Sequence, residues 1–168
     1  MRRRPGRSAH HGLLEVDGRV FACVLGRAGI AATKREGDGA TPRGDHAVLA
    51  GWGRRDRLPI APPFATLRPI TAADGWCDDP RHPAYNRPVR LPFRASHEVM
   101  HRDDRLYDIV LILDWNCRRR ARSRGSAIFA HVAPPAMGPT AGCIGAEPAV
   151  MAFLLRRLRR HTVARVLA

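Results

Sequence analysis

The stretch Leu106-Tyr-Asp-Ile-Val-Leu-Ile-Leu-Asp-Trp115 decides the fold, because it carries the strongest secondary-structure signal in the chain. Its centre, residues 109–113, is entirely aliphatic and rich in β-branched side chains, which favour extended backbone. An apolar run of this length is typical of a strand that is buried on both faces. We therefore predict a central buried strand over 105–115, with the rest of the domain packed around it.

Weaker signals place other elements around this strand. The pair Asp17-Gly18 marks a tight turn, so a hairpin is predicted over 13–25. Pro148 and an apolar stripe predict a helix over 148–160. Further strands are predicted over 46–52, 89–93, 126–132 and 162–167, and irregular chain over 26–44, 54–79 and 118–124. Since no βαβ alternation is present, the predicted fold class is mainly β with one or two helices (α+β).

A length of 168 residues suits one domain. Residues 1–12 are basic and have no apolar pattern, so we predict a flexible arm there and a single domain over 13–168. No apolar run is long enough to predict a transmembrane segment. The basic start Met1-Arg-Arg-Arg-Pro-Gly6 is not followed by an apolar core, so no cleavable signal peptide is visible.

The formal net charge is +14, from 29 basic and 15 acidic residues, and Lys34 is the only lysine. Such a charge attracts polyanions, although codon usage biased toward arginine would explain the composition equally well. Proteins that read RNA usually interleave aromatic with basic residues, whereas aromatic residues make up only 6% of this chain. We therefore predict no specific nucleic-acid partner.

Two short patterns compete as the site of chemistry. The first is His97-Glu98-Val-Met-His101, which on a helix would place both histidines on one face to bind zinc, with Glu98 as general base. Pro92 upstream and the polar run that follows leave little room for an amphipathic helix. The favoured interpretation is a short polar helix or loop, and a zinc hydrolase is the less favoured one.

The second pattern is Thr140-Ala-Gly-Cys143, which follows His131 and precedes the predicted helix. The thiolate is the nucleophilic form of cysteine, and a helix N-terminus nearby would lower the pKa of Cys143. Gly142 permits a sharp bend, and the N–H groups of Gly142 and Cys143 could form an oxyanion hole. His131, at a predicted strand end, could take the thiol proton. A buried, inert cysteine beside a satisfied histidine is the alternative, and these local features do not decide between the two.

Several segments together resemble a known family. Ser126–His131 followed by Gly138–Ile144 is similar to the active-site segment of the YkuD-type L,D-transpeptidases, whose motif is a His, a spacer and then Ser/Thr-His-Gly-Cys. Gly37–Gly44 resembles the substrate-side loop of that family, and Leu106–Asn116 resembles its core strand ending in Asn. The resemblance extends over roughly 13–168.

This resemblance implies a β-sandwich-like catalytic domain without a metal or organic cofactor. It implies that Cys143 attacks a peptidoglycan stem peptide as donor, releases D-alanine and forms a thioester. An amine acceptor would resolve the thioester into a cross-link, and water would give carboxypeptidase activity. By the same resemblance His131 is the base that becomes the acid, and Thr140, Ala141 and Gly142 line the substrate and oxyanion side.

The chain departs from the family pattern in three places. Ala141 replaces the histidine of the motif, Gly145 lies where many members have Arg or Asn, and the spacer from His131 to Thr140 is short. These departures indicate a divergent branch. The alternative function is a basic envelope or nucleic-acid-binding module with a decayed site.

The family role implies the periplasm or cell envelope as location. A cytoplasmic location is the alternative, because no signal peptide is visible. Under the family role, one interpretation of the arginines is that they hold the protein on anionic wall polymers.

Overall fold

The computed structural model describes all residues, 1–168. It has one α-helix, α1 (Pro148–Leu155), and short 3-10 helices at Phe64–Thr66 and Pro135–Met137. The strands are β1 (Arg2–Arg3), β2 (His11–Val16), β3 (Arg19–Val24), β4 (Ile30–Ala31), β5 (Thr41–Pro42), β6 (Gly44–Gly53), β7 (Arg68–Pro69), β8 (Asp74–Cys77), β9 (Arg87–Arg90), β10 (His97–Val99), β11 (Ile109–Leu113), β12 (Phe129–Val132), β13 (Ile144–Ala146) and β14 (Val163–Val166). The mainly β class with one α-helix is confirmed.

The central strand is β11, as the aliphatic run predicts. All of its residues are buried, and it pairs antiparallel with β6 on one side and β12 on the other. The large sheet runs in the order β1-β2-β3-β13-β12-β11-β6-β14, with β7 also paired to β6. Strands β12 and β13 are parallel, with His131 opposite Gly145. Two smaller sheets, β10-β8-β9 and β4-β5, complete the fold.

One face of the large sheet is covered by helix α1. Leu111 and Leu113 of β11 lie in one hydrophobic cluster with Met151 and Leu155 of the helix. Successive side chains of a strand point to opposite faces, so this cluster takes every second residue of β11. The helix ends at Leu155 rather than at the predicted Arg160, although Leu158 beyond its end still packs against the same cluster.

The opposite face is covered by the three-stranded sheet. Val110 and Ile112 of β11 lie in a second cluster that includes Trp76 of β8 and Phe129 of β12. The rings of Trp76 and Phe129 meet edge to face with their centroids 5.2 Å apart. This aromatic contact fixes the small sheet on the large one, in the sandwich-like arrangement that the resemblance implies.

Residues 1–12 do not form the predicted flexible arm. Strand β1 pairs with β2, with Arg2 opposite Leu13 and Arg3 opposite Gly12. The Leu167 N–H also donates to the Met1 carbonyl, with N and O 2.8 Å apart. Backbone hydrogen bonds require no apolar side chains, so the composition of this segment does not reveal the pairing. No helix of the structure is long and apolar enough to span a membrane.

Asp74 joins three strands through its buried carboxylate. It accepts hydrogen bonds from Arg68 of β7 at 2.7 Å, from Arg90 of β9 at 3.1 Å and from the Thr71 N–H at 2.8 Å. Burial alone would raise the pKa of Asp74, but the hydrogen bonds from Arg68 and Thr71 lower it to about 2. The carboxylate is therefore ionised at neutral pH and holds the edge of the small sheet.

We expect Asp74→Ala to lower the free energy of unfolding by about 2 kcal/mol, because it leaves two guanidinium groups without their partner. Urea unfolding monitored by circular dichroism measures this loss. Asp45→Ala is the matched control, since the ion pair of Asp45 with Arg165 is exposed and screened by solvent, and its loss should cost much less than that of Asp74. Equal losses in the two variants would contradict the structural role of Asp74.

Candidate active site

A cleft of about 390 Å³ contains both residues of the cysteine–histidine pattern. It opens on the same side of the large sheet as the three-stranded sheet, because Cys143 belongs to the second hydrophobic cluster. Its polar lining comes from distant parts of the chain. The lining residues with chemical groups are Lys34, Glu36, Asp78, Glu98, Arg102, Tyr107, Ser126, His131, Thr140 and Cys143.

Cys143 is buried and protonated at rest. It lies immediately before β13, and this strand separates it from helix α1. Its Sγ donates to the Ala127 carbonyl at 3.1 Å and accepts from the Phe129 N–H at 3.4 Å. Burial raises the pKa of Cys143 to about 12, against the opposing effect of the Phe129 hydrogen bond. The expectation that a helix N-terminus lowers this pKa is therefore wrong.

His131 is neutral and its tautomer is set by the backbone. Its Nδ1 lies 2.7 Å from the Val132 carbonyl oxygen. A carbonyl only accepts, so Nδ1 carries the proton and Nε2 keeps its lone pair. Burial lowers the pKa of His131 to about 4, although the hydrogen bond to Val132 opposes the shift. The Tyr107 ring packs edge-on against the imidazole, with centroids 5.4 Å apart.

The loop before Cys143 is held by Thr140. The Thr140 hydroxyl donates to the Cys143 carbonyl at 2.6 Å and accepts from the Gly142 N–H at 3.2 Å. The Thr140 N–H donates to the Leu25 carbonyl at 3.0 Å, which ties the loop to the chain after β3. Because Thr140 already uses the Gly142 N–H, only the Cys143 N–H of the two predicted oxyanion donors is free of intramolecular hydrogen bonds.

Gly142 has a backbone conformation that other residues avoid. Its φ is +143°, and a Cβ added to it would lie 2.8 Å from the Ala40 carbonyl oxygen. That distance is shorter than any ordinary contact, and the atom that it meets is backbone. The glycine before the cysteine is thus required both by its φ and by the close approach of the chain at Ala40.

The departures from the family pattern have structural explanations of different kinds. A Cβ on Gly145 would lie 2.6 Å from the Val24 side chain and 3.0 Å from the Ala133 backbone, so no larger residue fits there. Ala141 is exposed at the rim of the cleft, where its methyl group makes no hydrogen bond. The shortened spacer contains the tight 3-10 turn Pro135–Met137, with Ala136 at φ +53°.

The pattern around His97 does not form a zinc helix. Residues His97–Val99 are strand β10, paired with β8 so that His97 lies opposite Cys77. A helix places histidines four residues apart one turn from each other, whereas an extended strand separates them by about 13 Å, too far to share one ion. No group of three or more potential metal ligands forms anywhere in the structure. The helical zinc interpretation is therefore contradicted, and Glu98 instead lines the cleft.

Two carboxylates of the cleft are not predicted for it by the sequence, since Glu98 is named only in the zinc pattern and Asp78 in no motif. Asp78 follows β8 and Glu98 lies in the neighbouring strand β10, where Glu98 pairs with Trp76 and the Asp78 N–H donates to the Ser96 carbonyl. Burial, and then the charge of Asp78, raise the pKa of Glu98. One oxygen of Asp78, Oδ1, is buried without a hydrogen-bond partner. Glu98 lies 4.0 Å from the Arg102 guanidinium and accepts a hydrogen bond from Tyr107, so Asp78 Oδ1 is the oxygen of this pair of carboxylates that is left without a partner.

The other wall of the cleft is a loop held by two charged residues. Lys34 is almost fully buried, and its Nζ donates to Asp38 and to the Arg35 carbonyl, both at 2.6 Å. Glu36 accepts a hydrogen bond from the Ser126 hydroxyl at 2.8 Å. Ser126 is 90 residues from Glu36 in sequence, so pattern analysis gives no reason to combine it with Lys34 and Glu36. The only prior signal is that Lys34 is the single lysine.

The fold and the cleft define a mainly β domain with a buried cysteine and a neutral histidine in one open cleft. The family model for YkuD, the L,D-transpeptidase catalytic domain, matches residues 9–166, and the chain belongs to this family. The match covers nearly the whole chain and confirms the resemblance. No match was found among curated proteins or among solved structures.

We expect Gly142→Ala to lower the free energy of unfolding by about 2 kcal/mol, because it adds both backbone strain and a contact with the Ala40 carbonyl. Chemical unfolding of the two proteins measures the difference. Gly138→Ala is the control in the same segment, because Gly138 has a negative φ and its Cβ would make only ordinary contacts. Its effect should stay within about 0.5 kcal/mol. A harmless Gly142→Ala would show that the loop is not held as described.

Alkylation by iodoacetamide tests the raised pKa of Cys143. Well below that pKa the thiolate fraction grows about tenfold per pH unit, so the rate at Cys143 should rise this steeply from pH 7 to 9 in folded protein. Mass spectrometry of the Cys143 peptide follows the reaction. In urea-unfolded protein the alkylation rate should instead level off as the pH rises above the ordinary cysteine pKa of about 8.5. A plateau below pH 8 in folded protein would mean that the thiolate forms at rest.

Proposed function

We propose that the protein is a cysteine-dependent L,D-transpeptidase that acts on peptidoglycan stem peptides through a thioester on Cys143. One observation carries the proposal: Cys143, His131 and the Thr140–Gly142 loop line a single cleft in a chain that belongs to the family. The location that fits this substrate is the cell envelope. Neither a metal nor an organic cofactor takes part in the proposed reaction.

The proposed first step begins from two neutral groups. The Cys143 sulfur attacks the carbonyl carbon of the donor peptide bond while its proton passes to Nε2 of His131. A carbon–sulfur bond forms, and the resulting oxyanion accepts a hydrogen bond from the free Cys143 N–H. The carbon–nitrogen bond then breaks, and His131 returns its proton to the departing amine of D-alanine.

The second step reverses these proton movements. An amine acceptor attacks the thioester carbonyl and loses a proton to His131, and the thiol leaves with that proton. If water attacks instead, the product is the shortened stem peptide. Asp78 supports an amine-bearing substrate, since its Oδ1 has no hydrogen-bond partner in the protein and a carboxylate in the cleft attracts an ammonium group.

The resting protonation states are compatible with this chemistry. Burial disfavours a thiolate–imidazolium pair in the empty cleft, so transfer of the proton belongs to the step in which the substrate carbonyl is attacked. The neutral Nε2 of His131 is already in the form that accepts a proton. The site is thus protected from unproductive thiolate chemistry until a donor is bound.

Incubation with a disaccharide-tetrapeptide tests the proposal. We expect mass spectrometry to detect loss of D-alanine and a thioester adduct on the Cys143 peptide. Cys143→Ser should lower D-alanine release at least about a thousandfold, and His131→Asn at least about a hundredfold. Both losses follow from removal of the nucleophile and of its base.

Cys117→Ser is the matched control, because Cys117 is partly buried and lies outside the cleft lining. It should leave the release of D-alanine within about twofold of the wild type. Release that survives Cys143→Ser, or an adduct on another cysteine, would contradict the proposed nucleophile. A wild-type protein that releases no D-alanine from any stem peptide would favour the decayed binding module.

A further inference from the structure

The arginine loop, residues 118–124, carries an unpaired positive charge. Five of its seven residues are arginines, and none of them forms a salt bridge. Elsewhere many arginines are paired, for example Arg54 with Asp56 and Arg165 with Asp45. The loop is therefore a concentration of free guanidinium groups rather than part of an evenly balanced surface.

The backbone of the loop is held in one shape. The Asn116 side chain donates to the carbonyls of Ala121 and Gly125, both at 3.0 Å, and accepts from the Ala121 N–H at 2.8 Å. The Trp115 indole donates to the Arg124 carbonyl at 2.9 Å. These bonds turn the polar backbone inward, while the side chains of residues 118, 119, 122 and 124 are exposed. The guanidinium groups are thus displayed by an ordered support.

The arginine loop is continuous with the rim of the cleft. The Ser123 carbonyl accepts the Glu36 N–H at 2.9 Å, and Ser126 donates its hydroxyl to the Glu36 carboxylate. A Cβ on Gly125 would lie 3.0 Å from the Lys34 side chain. Since Lys34, Glu36 and Ser126 all line the cleft, the C-terminal end of the arginine loop lies directly against the cleft wall.

We propose that the arginine loop is a docking surface for peptidoglycan, which it holds through the carboxylates of stem peptides adjacent to the one that enters the cleft. This inference rests on the proposed function for the identity of the polymer. Guanidinium and carboxylate groups form planar, paired hydrogen bonds, and several weak exposed pairs together give useful avidity. Nucleic acid fits less well, because the loop has no aromatic side chain on which a base could stack.

Binding to purified, insoluble peptidoglycan measures this interaction. We expect Arg118→Gln/Arg119→Gln/Arg122→Gln to weaken co-sedimentation at least about tenfold at 50 mM NaCl, and the difference to shrink at 300 mM NaCl. Amidation of the peptidoglycan carboxyl groups should weaken binding of the wild type as much as the triple substitution does. The same amidation should have little further effect on the triple variant, because amidation and the substitutions remove the same guanidinium–carboxylate interaction.

Arg156→Gln/Arg159→Gln/Arg160→Gln is the control with the same change in charge. These arginines follow helix α1, which covers the face of the sheet opposite the cleft. Binding of this variant should stay within about twofold of the wild type. Three results would each overturn the proposal. The first is equal weakening of binding in both triple variants, and the second is wild-type binding that amidation leaves unchanged. The third is tighter binding of the wild type to polyuridylate RNA than to peptidoglycan.

Parallel measurement of D-alanine release from the soluble disaccharide-tetrapeptide separates this inference from the proposed reaction. Release of D-alanine by the wild type without loop-dependent binding to peptidoglycan overturns the proposed docking surface and leaves the proposed reaction in place. Loop-dependent binding to peptidoglycan without release of D-alanine overturns the proposed reaction and leaves the proposed docking surface in place.

Discussion

The parallel pairing of β12 and β13 is the constraint on which the cleft depends. Parallel neighbours cannot be joined by a tight turn, so the chain between His131 and Gly145 must travel back to the same end of the sheet. That return path is the segment that contains Thr140, Gly142 and Cys143. The histidine and the cysteine therefore share one cleft because of backbone register, without a direct hydrogen bond between them. The tight contacts at Gly142 and Gly145 keep this register, since neither position has room for a side chain.

Burial then decides the chemical state of the two groups. In a desolvated site, charge separation between a thiol and an imidazole is unfavourable, and the structure holds both groups neutral. A cysteine of this kind differs from one that is activated at a helix N-terminus, where the thiolate exists before substrate arrives. Here the β13 strand lies between Cys143 and the helix, so the dipole of α1 acts at a distance. In the proposed reaction, the energy for proton transfer therefore has to come from contacts made with the substrate.

The sequence predicts the features that depend on local patterns. The aliphatic run of β11 and the Asp17-Gly18 turn are both where the patterns place them. Features that depend on long-range backbone pairing are missed, such as β1 and the strand at His97–Val99. The proximity of Asp78 and Glu98 is missed for the same reason, because it follows from strand register, and the one pattern that includes Glu98 predicts a zinc helix instead. The family resemblance, rather than periodicity, is what connects Cys143 with His131 before the structure is considered.

Lys34 has a consequence for an enzyme that carries an activated acyl group. A thioester reacts with any accessible primary amine, and exposed lysines near such a group would acylate themselves. In this chain the other 28 of the 29 Lys and Arg residues are arginines, whose guanidinium is a poor nucleophile. The single lysine is buried and holds its ammonium in an ion pair with Asp38, so its nitrogen has no free lone pair. If the proposed thioester forms, the protein surface therefore offers no lysine amine that could intercept it, as a result of composition and packing together.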